Sequence, residues 1–414
     1  MTIAERTGQS AMQSVDSYLS DVLAAIRPLP PRELGLDEAD GAALTEDVTA
    51  GWPLPPFDNS GMDGYAVVAA DTAAATPERP VTLPVRGEVA AGDTGRYEVT
   101  PGTCIKIMTG ALLPLGADAV VPVEWTDDGP AGGTVSIGQP AVPGHAVRRA
   151  GGDAAAGDVL LTAGTRLGPV QLGLLAAAGH GTVTARPRPR ITVISTGNEL
   201  AEPGQPVMPG RIWESNSRML AAVARQAGYP ARRHPVVPDR KAAVLAALEG
   251  ALPDADLLVT TGGVSMGGEH DVVKAALHDL GTVSFRKVAM QPGMPQGFGV
   301  VGGGTPIFTL PGNPVSAYVS FQLFVRPAAS VLQALRPERL ASGRAVLTGP
   351  VRSPRDRRSF LRGILDPAAG TVAPVTGQAS HQLASLARAN ALIVVPEAVT
   401  EMPEGSDVEV LVLP

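Results

Sequence analysis

Ile191-Thr192-Val193-Ile194-Ser195-Thr196-Gly197-Asn198-Glu199-Leu200 is a β-branched apolar run that breaks abruptly into hydroxyl, glycine and acid residues. A buried strand of a parallel sheet reads this way where it hands a loop to the sheet edge. Two later junctions repeat the pattern. Thr260-Thr261-Gly262-Gly263-Val264-Ser265-Met266-Gly267-Gly268 closes the run Asp256–Thr260 and leads into a helix expected over Asp271–Asp279. Thr309-Leu310-Pro311-Gly312-Asn313-Pro314-Val315-Ser316 closes Pro306–Leu310 and opens a long helix over Pro314–Leu335. Helical periodicity over Arg218–Ala227 and Asp239–Leu248, with another strand at Arg232–Val237, fills the space between. Strands alternating with amphipathic helices predict a parallel sheet covered on both faces. The three loops then fall on its C-terminal edge, where open α/β sheets bind ligands.

Outside this region the pattern changes. Residues 13 to 27 place Val15, Leu19, Val22, Leu23 and Ile26 on one helical face before a Pro-rich exit at Pro28, Pro30 and Pro31. From Val48 to Pro143 short runs such as Val81–Val85, Gly102–Met108 and Ala119–Glu124 alternate with Gly and Pro, predicting an inserted β module. A second helix is expected at Pro169–Gly179, with Pro169 in the first turn and Gly179 as the C-terminal cap. Residues 340 to 414 lose the helical signal and read as a small β barrel or sheet.

At 414 residues, more than one core is required. Gly 48 and Pro 39 are frequent, but they punctuate apolar runs rather than form low-complexity tracts. A net charge of −7, no basic tract beyond Arg186–Arg190 and Arg352–Arg362, and 4% aromatics argue against a nucleic-acid partner. A single cysteine, Cys104, rules out an internal disulfide and a thiolate cluster. Met1–Ser20 lacks a secretory pattern, and the longest apolar stretch noted, Leu172–Ala178, is too short for a bilayer. The expectation is a cytoplasmic chain without a membrane partner.

Glycine loops and helix starts attract oxyanions, yet a helix N-terminus contributes only about 0.3–2 kcal/mol. A charge pair near 4 Å is worth about 4 kcal/mol at an effective dielectric near 20. On an acidic protein, a multiply charged ligand therefore needs arginines or a bound cation. Glu199 and Asp271 are candidates for Mg²⁺, which takes one or two carboxylates besides phosphates and water; helix capping explains them about equally well. A fourth cluster, Pro55-Pro56-Phe57-Asp58-Asn59-Ser60-Gly61-Met62-Asp63-Gly64-Tyr65-Ala66, lies outside the sheet. Turn chemistry accounts for Asp58, Asn59 and Gly61, but less readily for Asp63, directly before a strand. Neither a phosphate-binding P-loop, a nucleophile elbow, nor a dinucleotide fingerprint occurs.

Phe57–Ala66 resembles the FDNSxMDGYA signature of the molybdopterin molybdenumtransferase family, which includes bacterial MoeA and the E domain of gephyrin. Met108–Ala111, Arg149–Asp153, Ser195–Leu200, Ser215-Asn216, Gly262–Gly267 and Leu310–Ser316 extend the resemblance in order. It implies a multidomain α/β protein. A discontinuous elongated domain (13–50 and 148–188) brackets an inserted β domain (51–147). A MogA-like molybdopterin-binding α/β domain with a parallel sheet (189–335) and a C-terminal β barrel (336–414) follow. The activity implied is insertion of molybdate into adenylylated molybdopterin with release of AMP, by a Mg²⁺-dependent homodimer. A molybdopterin adenylyltransferase is an expected partner.

By resemblance, Asp63, Thr109, Glu199 and Asp271 are catalytic, with Glu199 and Asp271 on the metal. Asp153, Ser195, Thr196, Gly197, Ser215, Asn216, Gly262, Gly263, Ser265, Pro311, Gly312 and Asn313 bind the substrate. The molybdate pocket falls on Pro295, Ser316, Arg362 and Ser380. Where the family often carries Lys-Pro-Gly-Lys-Pro, this chain has Gln291-Pro292-Gly293-Met294-Pro295, so both lysines are absent. Arg362 remains, and Lys287 or a metal is a candidate substitute. The alternatives are a non-catalytic gephyrin-like scaffold, a nucleotide hydrolase that borrows the pterin-binding domain, and a homologue that prefers tungstate.

Overall fold

In the computed structural model, residues 12–129, 132–263, 272–278 and 281–414 are described. The chain divides into two compact units: one of residues 33–40 and 44–184, the other of the remaining N-terminal residues, 41–43 and 185–414.

The larger unit is organised by a six-stranded sheet. Ala231–Arg233, Ile191–Ser195, Leu257–Thr261 and Thr305–Leu310 run parallel, in that order. Pro295–Val301 then pairs antiparallel with Thr305–Leu310 and with the edge strand Val283–Lys287. The sheet is therefore mixed, not wholly parallel as expected. The two extra strands escaped notice because Val283–Lys287 carries Ser284, Arg286 and Lys287 at a solvated edge, and glycines thin the apolar pattern of the other.

Helices Asn216–Gln226, Lys241–Ala251 and Val272–His278 cover the sheet. Pro314–Ser320 continues through a π turn at Phe321–Val325 into Arg326–Leu332, ending three residues before the expected Leu335. This run, rather than Leu172–Ala178, is long and apolar enough to cross a membrane; being mostly buried, it serves as a core helix. Helix Val15–Ala25 is capped by Ser14, whose hydroxyl accepts from the Ser17 N–H. It packs Val15, Tyr18, Leu19 and Val22 into the same core as Val193, Phe308 and Phe324. Residues 12–32 are thus part of the larger compact unit, where each fully buried Leu or Phe contributes about 1.5–3 kcal/mol.

The C-terminal strands Ser342–Leu347, Arg358–Asp366, Thr371–Pro374, Ala391–Val395 and Asp407–Val412 close on themselves into a five-stranded barrel. A short helix, Leu383–Arg388, interrupts what sequence read as purely β. Met290 and Gln291 pair in parallel with Arg358 and Ser359, stitching the 290–295 loop to the barrel.

The smaller unit holds a six-stranded sheet in which Gly64–Val67 lies between Ala119–Pro122 and Cys104–Ile107. Helix Pro169–Ala177 is followed by Gly179 at φ +82°, the left-handed cap expected of it.

Candidate functional site

The three loops at the sheet's C-terminal edge converge. Asn216, in the first turn of its helix, donates through Nδ2 to the Thr261 hydroxyl at 3.0 Å and to the Gly312 carbonyl at 2.7 Å. Thr261 in turn donates to the Pro311 carbonyl at 3.0 Å. One amide at a helix start thus ties the ends of two neighbouring strands together. Gly262 has φ +94°, and a Cβ there would stand 2.5 Å from the Thr196 carbonyl oxygen. Only glycine allows that approach without strain. Gly197 is constrained differently: a Cβ would meet the Glu199 carboxylate, which folds back over it, at 2.6 Å.

These loops bound a cavity of about 310 Å³ lined by Thr196, Glu199, Trp213, Ser215, Asn216 and Gly262, with Gly312 and Asn313 across from them. Among the described residues, the buried Thr196 hydroxyl and Asn216 Oδ1 have no hydrogen-bond partner. An unpaired buried polar atom costs about 1–3 kcal/mol, so both invite a polar ligand. Trp213 is 55% exposed, its indole N–H held by the Gln205 carbonyl at 2.9 Å.

Ser195 has a different task. Its hydroxyl donates at 2.7 Å to Glu214, a buried carboxylate that also accepts from the Ser217 N–H and hydroxyl and lies 3.5 Å from Arg233. Glu214 thereby satisfies a free N–H at the start of helix Asn216–Gln226, and the adjacent Ser215 hydroxyl caps nothing. Sequence reasoning missed Glu214, although it directly precedes Ser215-Asn216.

A second cavity, of about 280 Å³, adjoins the first through Asn313. Its wall comprises Met290 to Pro295, Pro311, Ser316, Arg357, Gln378 and Ser380. Asn313 donates to the Ser380 hydroxyl at 2.9 Å. The Gln378 amide exchanges hydrogen bonds with the Arg362 backbone, 2.9 Å each way. Arg362 itself is fully buried. Its Nη2 donates to the Gly377 and Ala379 carbonyls at 2.7 and 3.1 Å, and its Nε to the Ser385 hydroxyl at 3.3 Å. Among the described residues, Nη1 has no hydrogen-bond partner and no carboxylate pairs with this guanidinium. Burial pushes its pKa down to about 10, which leaves it cationic at neutral pH. A buried cation without an acid costs free energy, and an oxyanion beside Nη1 would relieve that cost. Lys287 is exposed and does not line this cavity.

In the smaller unit, Asp63 sits at the entry to strand Gly64–Val67, where Gly64 is forced because a Cβ would meet the Val121 carbonyl. The Asp63 carboxylate accepts from the Thr109 N–H and hydroxyl, both at 2.7 Å. Those two bonds, the N–H first, hold its pKa below the ordinary value and keep it ionised and exposed. Asp58 is likewise lowered, by the Ala150 N–H and then by Arg149 at 2.6 Å. Asp153 is exposed, and its backbone N–H donates to the Leu54 carbonyl.

Ser265 and Asp271 lie outside the described residues. Among the described ones no group of three or more His, Cys, Asp or Glu gathers to hold a metal. Glu199 is an exposed carboxylate at the rim of the first cavity. That suits Mg²⁺, which completes its shell with phosphates and water.

Comparison with known proteins agrees along the whole chain. Residues 13–179 match the MoeA N-terminal region (domains I and II), 192–330 a probable molybdopterin binding domain, and 344–413 the MoeA C-terminal region (domain IV). Molybdopterin molybdenumtransferase 2 of Mycobacterium tuberculosis (strain H37Rv) is 48% identical, covering 96% of this chain and 99% of the relative. Molybdopterin molybdenumtransferase of Bacillus subtilis is 36% identical over 92% of this chain and 89% of the relative. A crystal structure of the molybdopterin biosynthesis MoeA protein from Pyrococcus horikoshii, 32% identical, superposes with a TM-score of 0.77 and covers 97% of this chain and 99% of that one. The chain belongs to the MoeA family of molybdopterin molybdenumtransferases.

Proposed function

We propose that this chain is a molybdopterin molybdenumtransferase of molybdenum cofactor biosynthesis, inserting molybdate into adenylylated molybdopterin with release of AMP. The observation that carries the reading is the pair of cavities sharing Asn313. One has unpaired neutral polar groups and an exposed indole, suited to an organic ligand with hydrogen-bonding edges and flat rings. The other is backed by a buried guanidinium with a free N–H, suited to a small oxyanion.

On this reading Thr196 and Asn216 hydrogen-bond the organic substrate, and Trp213 stacks on a ring. Gly262 and Gly312 let the backbone approach the phosphates, while Ser316 and Ser380 line the pocket for molybdate and Arg362 supplies positive charge from behind it. Glu199, with Asp271, would hold Mg²⁺, whose contribution is neutralisation of phosphate charge. No protein nucleophile is required, because the adenylyl link is already labile; the protein positions the reactants and stabilises charge. Asp63, kept ionised by Thr109, orients a water. The working form is a homodimer, and a molybdopterin adenylyltransferase supplies the substrate.

Asp63→Asn tests the assignment of that group. It keeps the hydrogen-bond acceptor for Thr109 but removes the charge, so molybdate-dependent AMP release should fall by about a hundredfold or more, within the range for loss of a charged catalytic group. Wild-type turnover in Asp63→Asn would remove it from the site.

A further inference from the structure

Among the described residues, Arg357 is the single charged one lining the 280 Å³ cavity; the rest of its wall is Met, Pro, Gly, Gln, Asn and Ser. Three observations fix why it is there. The parallel pairing of Met290 with Arg358 and Gln291 with Ser359, together with the Arg358 N–H donating to the Ala289 carbonyl at 2.9 Å, brings the segment just before Arg358 beside the 290–295 loop. The preceding turn is held from within. The Ser353 hydroxyl lies 2.7 Å from that of Ser359, and the Asp356 N–H donates to the Glu397 carbonyl while Asp356 adopts φ +63°. Finally, Arg358, not Arg357, pairs with Asp16 at 2.7 Å and with Glu397 at 3.0 Å. Among the described residues no acid pairs with Arg357.

An oxyanion in this cavity needs cationic charge, because dipoles alone fall several-fold short of a full charge pair. Arg362 contributes from behind the 377–380 segment, but it is not part of the cavity wall. We propose that Arg357 is the direct cationic contact for the oxyanion, supplied by the barrel turn at a cavity whose 290–295 loop carries no charge of its own. A guanidinium there presents a planar fork of N–H donors to tetrahedral oxygens. This inference rests on the oxyanion reading of the cavity, so its test must separate the two.

The experiment is equilibrium binding of molybdate to the full chain by calorimetry, for the wild type and for Arg357→Gln, Arg357→Lys and Arg355→Gln. Arg355 is exposed on the same turn and does not line the cavity, so its variant controls for general loss of charge. The expected result is at least tenfold weaker binding in Arg357→Gln, an intermediate loss in Arg357→Lys, which keeps the charge but not the planar fork, and wild-type binding in Arg355→Gln. Folding is monitored by the melting temperature. Wild-type affinity in Arg357→Gln, or an equal loss in Arg355→Gln, overturns the proposal while leaving the oxyanion cavity standing. Failure of the wild type to bind molybdate overturns the cavity reading, and the Arg357 proposal with it.

Discussion

The cavity bounded by Thr196, Asn216 and Gly262 and the one bounded by Gln291, Met294 and Arg357 meet at Asn313, but they are made differently. The first is a product of backbone: two glycines permit close approach, one amide ties two strand ends, and its unpaired groups are neutral. The second is a product of charge brought from a distance. Its wall combines a loop between two sheet strands, the start of a core helix and two segments of the barrel, with a buried guanidinium behind one of them. Neutral donors and close backbone suit a large organic ligand that offers many weak contacts. A small dianion offers few contacts, so its site depends on cations. The contrast predicts that each cavity can be damaged without the other.

The largest effect is expected at Arg362. Arg362→Gln removes the buried charge, so molybdate-dependent turnover should fall by about a hundredfold, the scale of a lost charged interaction of roughly 3 kcal/mol. Binding of the adenylylated pterin, measured by quenching of Trp213 fluorescence, should stay within a few-fold. Equal losses of both ligands would mean that the cavities are one site.

Gly262→Ala should have the opposite selectivity and a smaller effect. At φ +94° an alanine costs about 1–2 kcal/mol, and its Cβ would press on the Thr196 carbonyl. Pterin-nucleotide binding should weaken about tenfold with a lowered melting temperature, while molybdate affinity is preserved. Unchanged pterin binding would show that the loop yields without reaching the ligand.

This difference also explains what could be read from the chain. The first cavity was legible where its parts are local, though not at His381 and Leu383, which also line it. Each loop follows its own strand, and glycine at a strand end states a backbone requirement in sequence. The convergence at Asn216 follows once the strands are parallel. Glu214 was overlooked because a buried carboxylate that serves a helix start looks, in sequence, like any surface acid. The second cavity has no local signature. Arg362, Ser380 and Ser316 were found by resemblance alone, since their approach depends on how a barrel closes against a helix start. Arg357 was hidden within the basic run Arg352–Arg362, where only the pairing of Gln291 with Ser359 separates the arginine that lines the cavity from the one bound to Asp16. The antiparallel strands Val283–Lys287 and Pro295–Val301 were lost for a similar reason: edge exposure and glycines erase the apolar pattern on which a strand prediction rests.

The account rests on the two cavities acting on one reaction, and the dependence of AMP release on molybdate tests that most directly. The purified full chain is mixed with adenylylated molybdopterin and Mg²⁺, with and without molybdate, and nucleotide products are separated over time. The account predicts AMP accumulating only when molybdate is present, in step with molybdenum bound to the pterin. AMP released at the same rate without molybdate, or no AMP under either condition, would contradict it.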